Sequence, residues 1–138
     1  MKNILYIAPD MSVKGGISTV IKGFLGTNLS QNNNIVLIAS HVDGTKLRKL
    51  LQATIGLLKT AYYLIFNKID IVHIHGGDVT SMKRKYLYFR LIKLFERKVI
   101  YHFHGASFME QFILVRPGWK HRIKALLEES NMVICLSE

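Results

Sequence analysis

Five short apolar runs recur along the chain, and segments with helical spacing separate them. The runs are rich in β-branched residues and do not alternate with polar positions. Such runs are typical of strands covered on both faces, as in a parallel sheet with helices outside it. We therefore predict strands at residues 3–8, 35–39, 69–74, 99–103 and 132–136.

Between these runs, apolar positions recur at intervals of three and four residues, which is the period of an amphipathic helix. The pattern predicts helices through residues 17–25, 47–65, 87–95 and 119–129. The long second helix is predicted to be buried along one stripe. That stripe consists of Leu47, Leu51, Thr54, Leu58, Ala61 and Ile65.

The alternation of strands and helices predicts one doubly wound, Rossmann-like α/β domain over residues 1–138, with right-handed crossovers. Five strands allow the order 3-2-1-4-5 or the flavodoxin-like order 2-1-3-4-5. We favour 2-1-3-4-5, because it brings three short polar motifs to the same carboxyl edge of the sheet. These motifs are Gly15-Gly16, His75-Gly76 and His104-Gly105.

The charge balance is strongly basic, since 19 Lys and Arg residues against nine Asp and Glu residues give a net charge of +10. Such a balance favours phosphate-bearing substrates, anionic lipid or nucleic acid as partners. Nucleic acid is not predicted, because the sequence contains no recognised reading motif. The single cysteine, Cys135, excludes an internal disulfide and is typical of a reducing cytoplasm.

Two apolar segments invite a targeting or membrane interpretation, and neither has the required character. The run after Lys2 stops at Pro9-Asp10, and the stretch 50–66 carries Lys59 near its middle. A spanning helix needs about 20 apolar residues with few charges. We therefore predict a cytoplasmic location and an amphipathic, buried second helix.

Gly15 and Gly16 follow the first predicted strand and open the first helix. A helix N-terminus offers free N–H groups and partial positive charge, and glycine lets a phosphate approach the backbone closely. Ser18 would add a hydroxyl group and Lys14 a charge. The spacing matches neither the dinucleotide fingerprint nor the P-loop. The pattern therefore fits either a phosphate site or a plain tight turn before a helix.

Two strands carry histidines at alternating positions, so His73 shares a face with His75, and His102 with His104. Ligands of parallel sheets bind beyond the carboxyl ends of the strands, which favours His75 and His104 as ligand contacts. His73 and His102 lie one pleat deeper and fit core histidines better. Four histidines also raise the question of zinc, but Asp78 is the only acid nearby, and no metal site is predicted.

A further set of candidates is basic. Lys83, Arg90, Lys93 and Arg97 gather on one side of the third predicted helix. A basic face beside apolar and aromatic residues suits an anionic membrane surface, which would hold the protein peripherally on the inner face of the membrane. The alternative is an ordinary solvated helix face.

Four motifs occur in order along the chain, each at or just after a predicted strand: KGGIS at 14–18, DIVHIHG at 70–76, YHFHG at 101–105 and VICLSE at 133–138. Their order and spacing resemble the amino-terminal domain of glycosyltransferase family 4, whose members are retaining enzymes with the two-domain GT-B fold. The resemblance spans the whole chain. It implies transfer from a nucleotide sugar without a metal ion or another cofactor.

The resemblance also implies roles for two of these motifs, the one at 14–18 and the one at 101–105. Gly15 and Gly16 would lie near the phosphates of the nucleotide-sugar donor and near the acceptor. His104 and Gly105 would reach the transferred sugar. His104 would position the substrate and stabilise charge there rather than act as a general base.

Two further motifs have their counterparts in the family. His75 and Gly76 would line the acceptor side of the site. Ser137-Glu138 resembles the pair that closes the family's fifth strand. The family's nucleotide pocket belongs to a carboxyl-terminal domain, which we expect to lie outside residues 1–138, so this half is expected to be inactive alone.

The resulting hypothesis is the acceptor-binding half of a retaining glycosyltransferase for cell-surface polysaccharide synthesis, acting on a glycan or lipid-linked acceptor. A different class stays open, namely a non-catalytic flavodoxin-like module that docks on a membrane or on partner proteins. A third hypothesis is a free-standing nucleotide-binding domain. The missing dinucleotide fingerprint argues against it.

Overall fold

The computed structural model describes residues 1–105 and 107–135 and confirms the predicted α/β fold. One all-parallel sheet has the strand order 2-1-3-4-5, the order that the motif positions favoured. Leu136, the last residue of the predicted fifth strand, and Ser137-Glu138 lie outside the described residues. The strands are β1 (Asn3–Pro9), β2 (Asn34–His41), β3 (Ile71–Gly76), β4 (Lys98–Phe103) and β5 (Met132–Cys135).

All four predicted helices are present, and two short ones were missed. The missed helices are four and six residues long, and so few turns leave no readable period. The first of them is capped by the Thr27 side chain, which accepts a hydrogen bond from the Leu29 N–H. The helices are α1 (Gly16–Leu25), α2 (Asn28–Gln31), α3 (Lys46–Phe66), α4 (Val79–Leu94), α5 (Phe108–Ile113) and α6 (Pro117–Glu128).

The two faces of the sheet have different partners. On one face, alternate strand residues such as Leu5, Ile74 and Tyr101 pack beneath α3, α4 and α6 and form the main apolar core. On the other face lie Tyr6 and the histidines of β3 and β4, where the Phe24 ring of α1 packs over them. The histidines therefore occupy the face opposite the main core.

The prediction that this stripe of α3 is buried is wrong, because its large side chains point outward. Leu47, Leu51, Leu58 and Ile65 are between 58% and 75% exposed. The buried residues of the inner face are instead Gly56, Thr60 and Leu64, two of which are small.

The reason lies in a close helix–sheet approach at Gly56. A Cβ atom there would lie 2.9 Å from the Ala39 carbonyl oxygen and 2.3 Å from the Tyr88 hydroxyl. Gln52 donates a 2.7 Å hydrogen bond to the same Ala39 carbonyl, which fixes the rotation of the helix.

Among the described helices, none combines the length and the apolar content that crossing a bilayer requires.

A lysine that the sequence did not single out lies inside the core. Lys85 is 1% exposed, and its ammonium group donates to the Ser40 hydroxyl, which in turn donates to the Ala8 carbonyl. The ammonium group also lies 5.8 Å from the centre of the Tyr88 ring. Burial lowers the pKa of Lys85 well below its usual value, with a smaller contribution from Arg84.

We expect Lys85→Met to stabilise the fold by about 1–3 kcal/mol at pH 7, because the buried amine binds protons less readily than in the unfolded chain. In the wild type, the burial of the Lys85 amine therefore lowers the free energy of unfolding. This cost is greatest at low pH, and it disappears as the pH rises toward the pKa of lysine in the unfolded chain. Urea denaturation at pH 7 and pH 10 measures it, and the advantage of the variant should narrow at pH 10. Lower stability of Lys85→Met at both pH values would contradict the prediction.

Candidate functional site

The carboxyl ends of β1, β3 and β4 meet at one edge, as the motif positions predicted. The ladder between β3 and β4 pairs His75 with His102 and Gly76 with Phe103. It continues one step further, where the His104 N–H donates to the Gly76 carbonyl at 2.9 Å. The two histidine motifs are therefore direct neighbours at the edge of the sheet.

Four imidazole rings stack into one group, which we call the histidine cluster: His73, His75, His102 and His104. The ring centres lie 4.3 Å apart for the pair on β3 and 4.2 Å apart for the pair that begins on β4. Tyr6 lies 4.8 Å from His73 on one side. No role for Tyr6 was predicted from the sequence, although its pairing with His73 in the sheet places it on the histidine face.

Phe24 covers the histidine cluster from α1, with its ring centre 5.9–6.4 Å from those of His73, His75 and His102. The sequence pattern placed Phe24 only in an apolar helix stripe. Its contact with the cluster depends on how α1 lies across the sheet, which periodicity does not determine.

The histidine cluster is neutral at pH 7. Burial, followed by repulsion from neighbouring histidines, lowers the pKa of His73 and of His104 to about 4. The same causes lower the pKa of His75 to about 2. Each neutral ring offers one hydrogen-bond donor and one acceptor, which suits the hydroxyl groups of a sugar.

His75 and His104 have different access to a ligand. His75 is completely buried, and its Nδ1 atom lies 3.1 Å from Nε2 of His104. His104 is only half-buried and stands at the open end of the pair. His104 can therefore meet a ligand directly, whereas His75 acts through its contact with His104.

The cluster contains polar atoms that other described residues leave unpaired. These are Nε2 of His73, Nε2 of His75 and both ring nitrogens of His102. One ligand atom from each of these three residues lies within 4.8 Å of the others. Tetrahedral zinc would draw its nitrogen ligands to about 3.4 Å from one another, so the arrangement is looser than a zinc site.

The acid that follows β3 in the chain, Asp78, is engaged at the start of α4. The Asp78 carboxylate caps α4 and accepts a 2.6 Å hydrogen bond from the Ser81 N–H. The absence of a resident metal stays a prediction from the sequence.

The glycine loop opens a groove of about 430 Å³ beside the N-terminus of α1. A Cβ atom at Gly15 or at Gly16 would have no neighbour within 4 Å, so both glycines leave the approach to the backbone open. Lys14 and Lys22 are exposed and line the same groove. The groove thus combines free helix N–H groups with two cations, which is suitable for a phosphate.

Ser18 does not point its donor into this groove. Its side chain is 5% exposed, and the hydroxyl donates a 2.7 Å hydrogen bond to the Val13 carbonyl. This bond holds the loop against the start of α1. Ser18 therefore shapes the groove, and its predicted substrate contact stays a prediction.

Gly76 and Gly105 have packing reasons to be glycine. A Cβ atom at Gly76 would lie 2.2 Å from the Tyr101 hydroxyl oxygen. One at Gly105 would lie 2.7 Å from the Gly77 carbonyl oxygen and 2.6 Å from the Phe103 ring. These glycines permit close packing beneath the histidine cluster, and their substrate contacts stay predictions.

The predicted basic face is divided in the structure. Arg97 follows the end of α4, and only Lys83, Arg90 and Lys93 belong to that helix. The Lys83 ammonium lies 5.6 Å from the Trp119 ring centre of α6, and the Lys93 ammonium lies 3.4 Å from a backbone carbonyl just beyond α6. Arg90 is exposed, and its guanidinium lies 3.5 Å from the Tyr86 hydroxyl of the same helix. Because Lys83 and Lys93 are engaged beside α6, the face is less free than the sequence indicated.

Comparison with known proteins gives one informative match. The chain is 30% identical to an uncharacterised 41.2 kDa protein in the cps region of Klebsiella pneumoniae, over 91% of this chain. The chain spans 36% of the length of that relative. No protein-family model matches the chain. No solved structure matches it.

Proposed function

We propose that residues 1–138 form the acceptor-side domain of a retaining glycosyltransferase that builds a capsular or other cell-surface polysaccharide. The observation that carries this proposal is the half-buried, neutral His104 at the open end of the histidine cluster. The relative in a cps region supports a role related to capsular polysaccharide. The whole protein would move a sugar from a nucleotide sugar to a glycan or lipid-linked acceptor.

The chemistry proposed for the site needs no proton transfer by a histidine. As the sugar leaves its diphosphate and bonds to the acceptor oxygen, positive charge develops on the sugar and negative charge on the phosphate, and the leaving phosphate oxygen takes up the proton of the acceptor hydroxyl. Neutral His104 would orient the sugar hydroxyls and the acceptor, with buried His75 holding its ring in place. Lys14, Lys22 and the start of α1 would stabilise the leaving diphosphate.

Donor selection belongs to a second domain in this proposal. The nucleotide base and ribose would be bound outside residues 1–138, as the resemblance to glycosyltransferase family 4 implies. Closure of two domains would exclude water from the reactive donor. The isolated chain of 138 residues is therefore expected to transfer no sugar, and activity assays belong on the full-length protein.

We expect replacement of both groove lysines, Lys14→Gln with Lys22→Gln, to raise KM for the nucleotide-sugar donor about 30-fold in the full-length protein, because each ammonium group contributes a screened attraction of about 1 kcal/mol. Steady-state transfer at low and high salt measures it, and the difference should shrink at high salt. Lys124→Gln, which removes an exposed lysine of α6, is the matched control.

The same assay discriminates the non-catalytic alternative. A docking module would show no transfer from any member of a panel of nucleotide sugars offered with native lipid extract as acceptor. If the double variant is active and its KM is unchanged, the glycine-loop groove is not the binding site of the donor phosphates.

A further inference from the structure

The largest concentration of exposed apolar side chains lies on α3. Of the 16 large apolar residues that are exposed among the described ones, seven belong to this helix. By contrast, the buried residues of α3 are only Gly56, Thr60 and Leu64. The large apolar residues of α3 that pack against the core are Leu57, Tyr63 and Leu64. The helix thus turns more large apolar side chains toward solvent than toward its own core.

These side chains form a continuous strip. With 3.6 residues per turn, five of them fall within an arc of about 60°. Exposed patches of this kind on a folded domain mark an interaction surface. We call them the outer face of α3: Leu47, Leu51, Leu58, Tyr62 and Ile65.

The charges beside the outer face have one sign. Helix α3 carries four basic residues and no acidic residue. Three of the four fall in the first turn, where the helix dipole favours acidic side chains instead. This placement is unfavourable within the chain, so it indicates an anionic partner. The four are Lys46, Arg48, Lys49 and Lys59.

The charge pattern also selects among the occupants of the outer face. Two copies of α3 packed together would bring basic residues against basic residues, with no carboxylate on either helix to pair with them. A surface of anionic lipid headgroups satisfies both features, since the apolar strip would enter the acyl boundary while the cations meet the phosphates. Tyr62, 57% exposed, is a residue type that favours that boundary.

We infer that α3 docks lengthwise on an anionic lipid bilayer, with its outer face in the headgroup–acyl boundary. The helix of 21 residues would cover about 31 Å of membrane surface. Because α3 follows β2, its first turn lies at the carboxyl edge of the sheet, the edge that holds the histidine cluster. This docking surface lies on a different helix from the basic residues of α4, and it does not depend on the proposed transferase activity.

The test is flotation of the 138-residue chain with vesicles of phosphatidylcholine alone or with 30% phosphatidylglycerol. We expect binding only to the anionic vesicles. Leu58→Ser with Ile65→Ser should weaken it about 100-fold, because two exposed side chains lose their burial in the bilayer. The matched control is Leu94→Ser with Leu114→Ser, two exposed leucines on other elements, which should bind like the wild type.

Removal of charge provides a second measurement. Arg48→Gln with Lys59→Gln should weaken binding to the anionic vesicles about 30-fold, because each cation near a charged bilayer contributes about 1 kcal/mol. All four substituted α3 residues are exposed, so circular dichroism should show intact folds. The inference fails if the α3 variants and the control bind alike, or if neutral vesicles bind equally well. Self-association that the α3 variants abolish, without vesicle binding, would assign the outer face to a second copy instead.

Discussion

His104→Ala is expected to lower sugar transfer by the full-length protein by at least about 100-fold, which is typical of losing a group that stabilises transition-state charge. His104 follows β4 at the edge of the sheet and is half-buried, so its truncation leaves the main core untouched. We expect kcat to fall more than KM rises, because charge on the sugar develops only in the transition state. Steady-state kinetics over donor and acceptor concentrations measures both constants.

Two variants separate the role of His104 from a general structural one. His104→Gln retains a hydrogen-bonding amide near Nδ1 of His75, and it should recover part of the lost rate. His121→Ala changes an exposed histidine on α6 and should leave the kinetics unaltered. If folded His104→Ala has unchanged kcat and KM, then His104 does not belong to the substrate site.

The architecture was predictable because it depends on features that short segments carry by themselves. Uninterrupted β-branched runs predict strands covered on both faces, and their alternation with helices leaves few sheet orders. The three polar motifs selected 2-1-3-4-5, since ligand-binding segments collect at one carboxyl edge. The same rule placed His75 beside His104.

The orientation of α3 was not predictable, for a physical reason. A period of 3.6 residues reveals stripes along a helix but not which stripe faces the sheet. Large apolar side chains are normally buried, which made the leucine stripe the better candidate. The decisive residue was Gly56, whose missing side chain admits the Ala39 carbonyl and the Tyr88 hydroxyl. Such a contact requires two other elements, so it has no signature within the helix.

The candidate site, too, has features that could be predicted from the sequence and features that could not. Strand alternation correctly put His73 with His75 and His102 with His104, because that depends only on sequence parity. That the two pairs share a face of the sheet depends on the register between β3 and β4. Full burial of His75 and the cover supplied by Phe24 depend on the packing of α1. Gly76 and Gly105 resemble ligand-contacting glycines in sequence, yet tertiary neighbours account for both. Buried Lys85 carried no signal, since lysine is the residue least expected inside a core.

Acidification from pH 7 to pH 5 is expected to lower the free energy of unfolding by about 2 kcal/mol for each of His73 and His75. Both histidines have a pKa of about 4 or below in the folded state, so they stay neutral while their unfolded counterparts take up protons near pH 6.5. The unfolded state therefore binds more protons throughout this interval. Stability falls as the pH drops, and the loss begins near pH 6.5 rather than at the folded values.

The loss is large for a domain of this size, since about 4 kcal/mol from His73 and His75 together compares with typical stabilities of about 5–15 kcal/mol. The net charge of +10 acts in the same direction, because every added proton increases self-repulsion.

Urea denaturation at pH 7, 6 and 5 measures this loss of stability. His73→Phe should recover about 2 kcal/mol of the acid loss, because phenylalanine takes up no proton on unfolding. His121→Gln, which changes an exposed histidine outside the histidine cluster, is the matched control. Equal acid sensitivity of wild type and His73→Phe would mean that the cluster is charged or open to water, and His104 would then lack the neutral, ordered setting on which its proposed role depends.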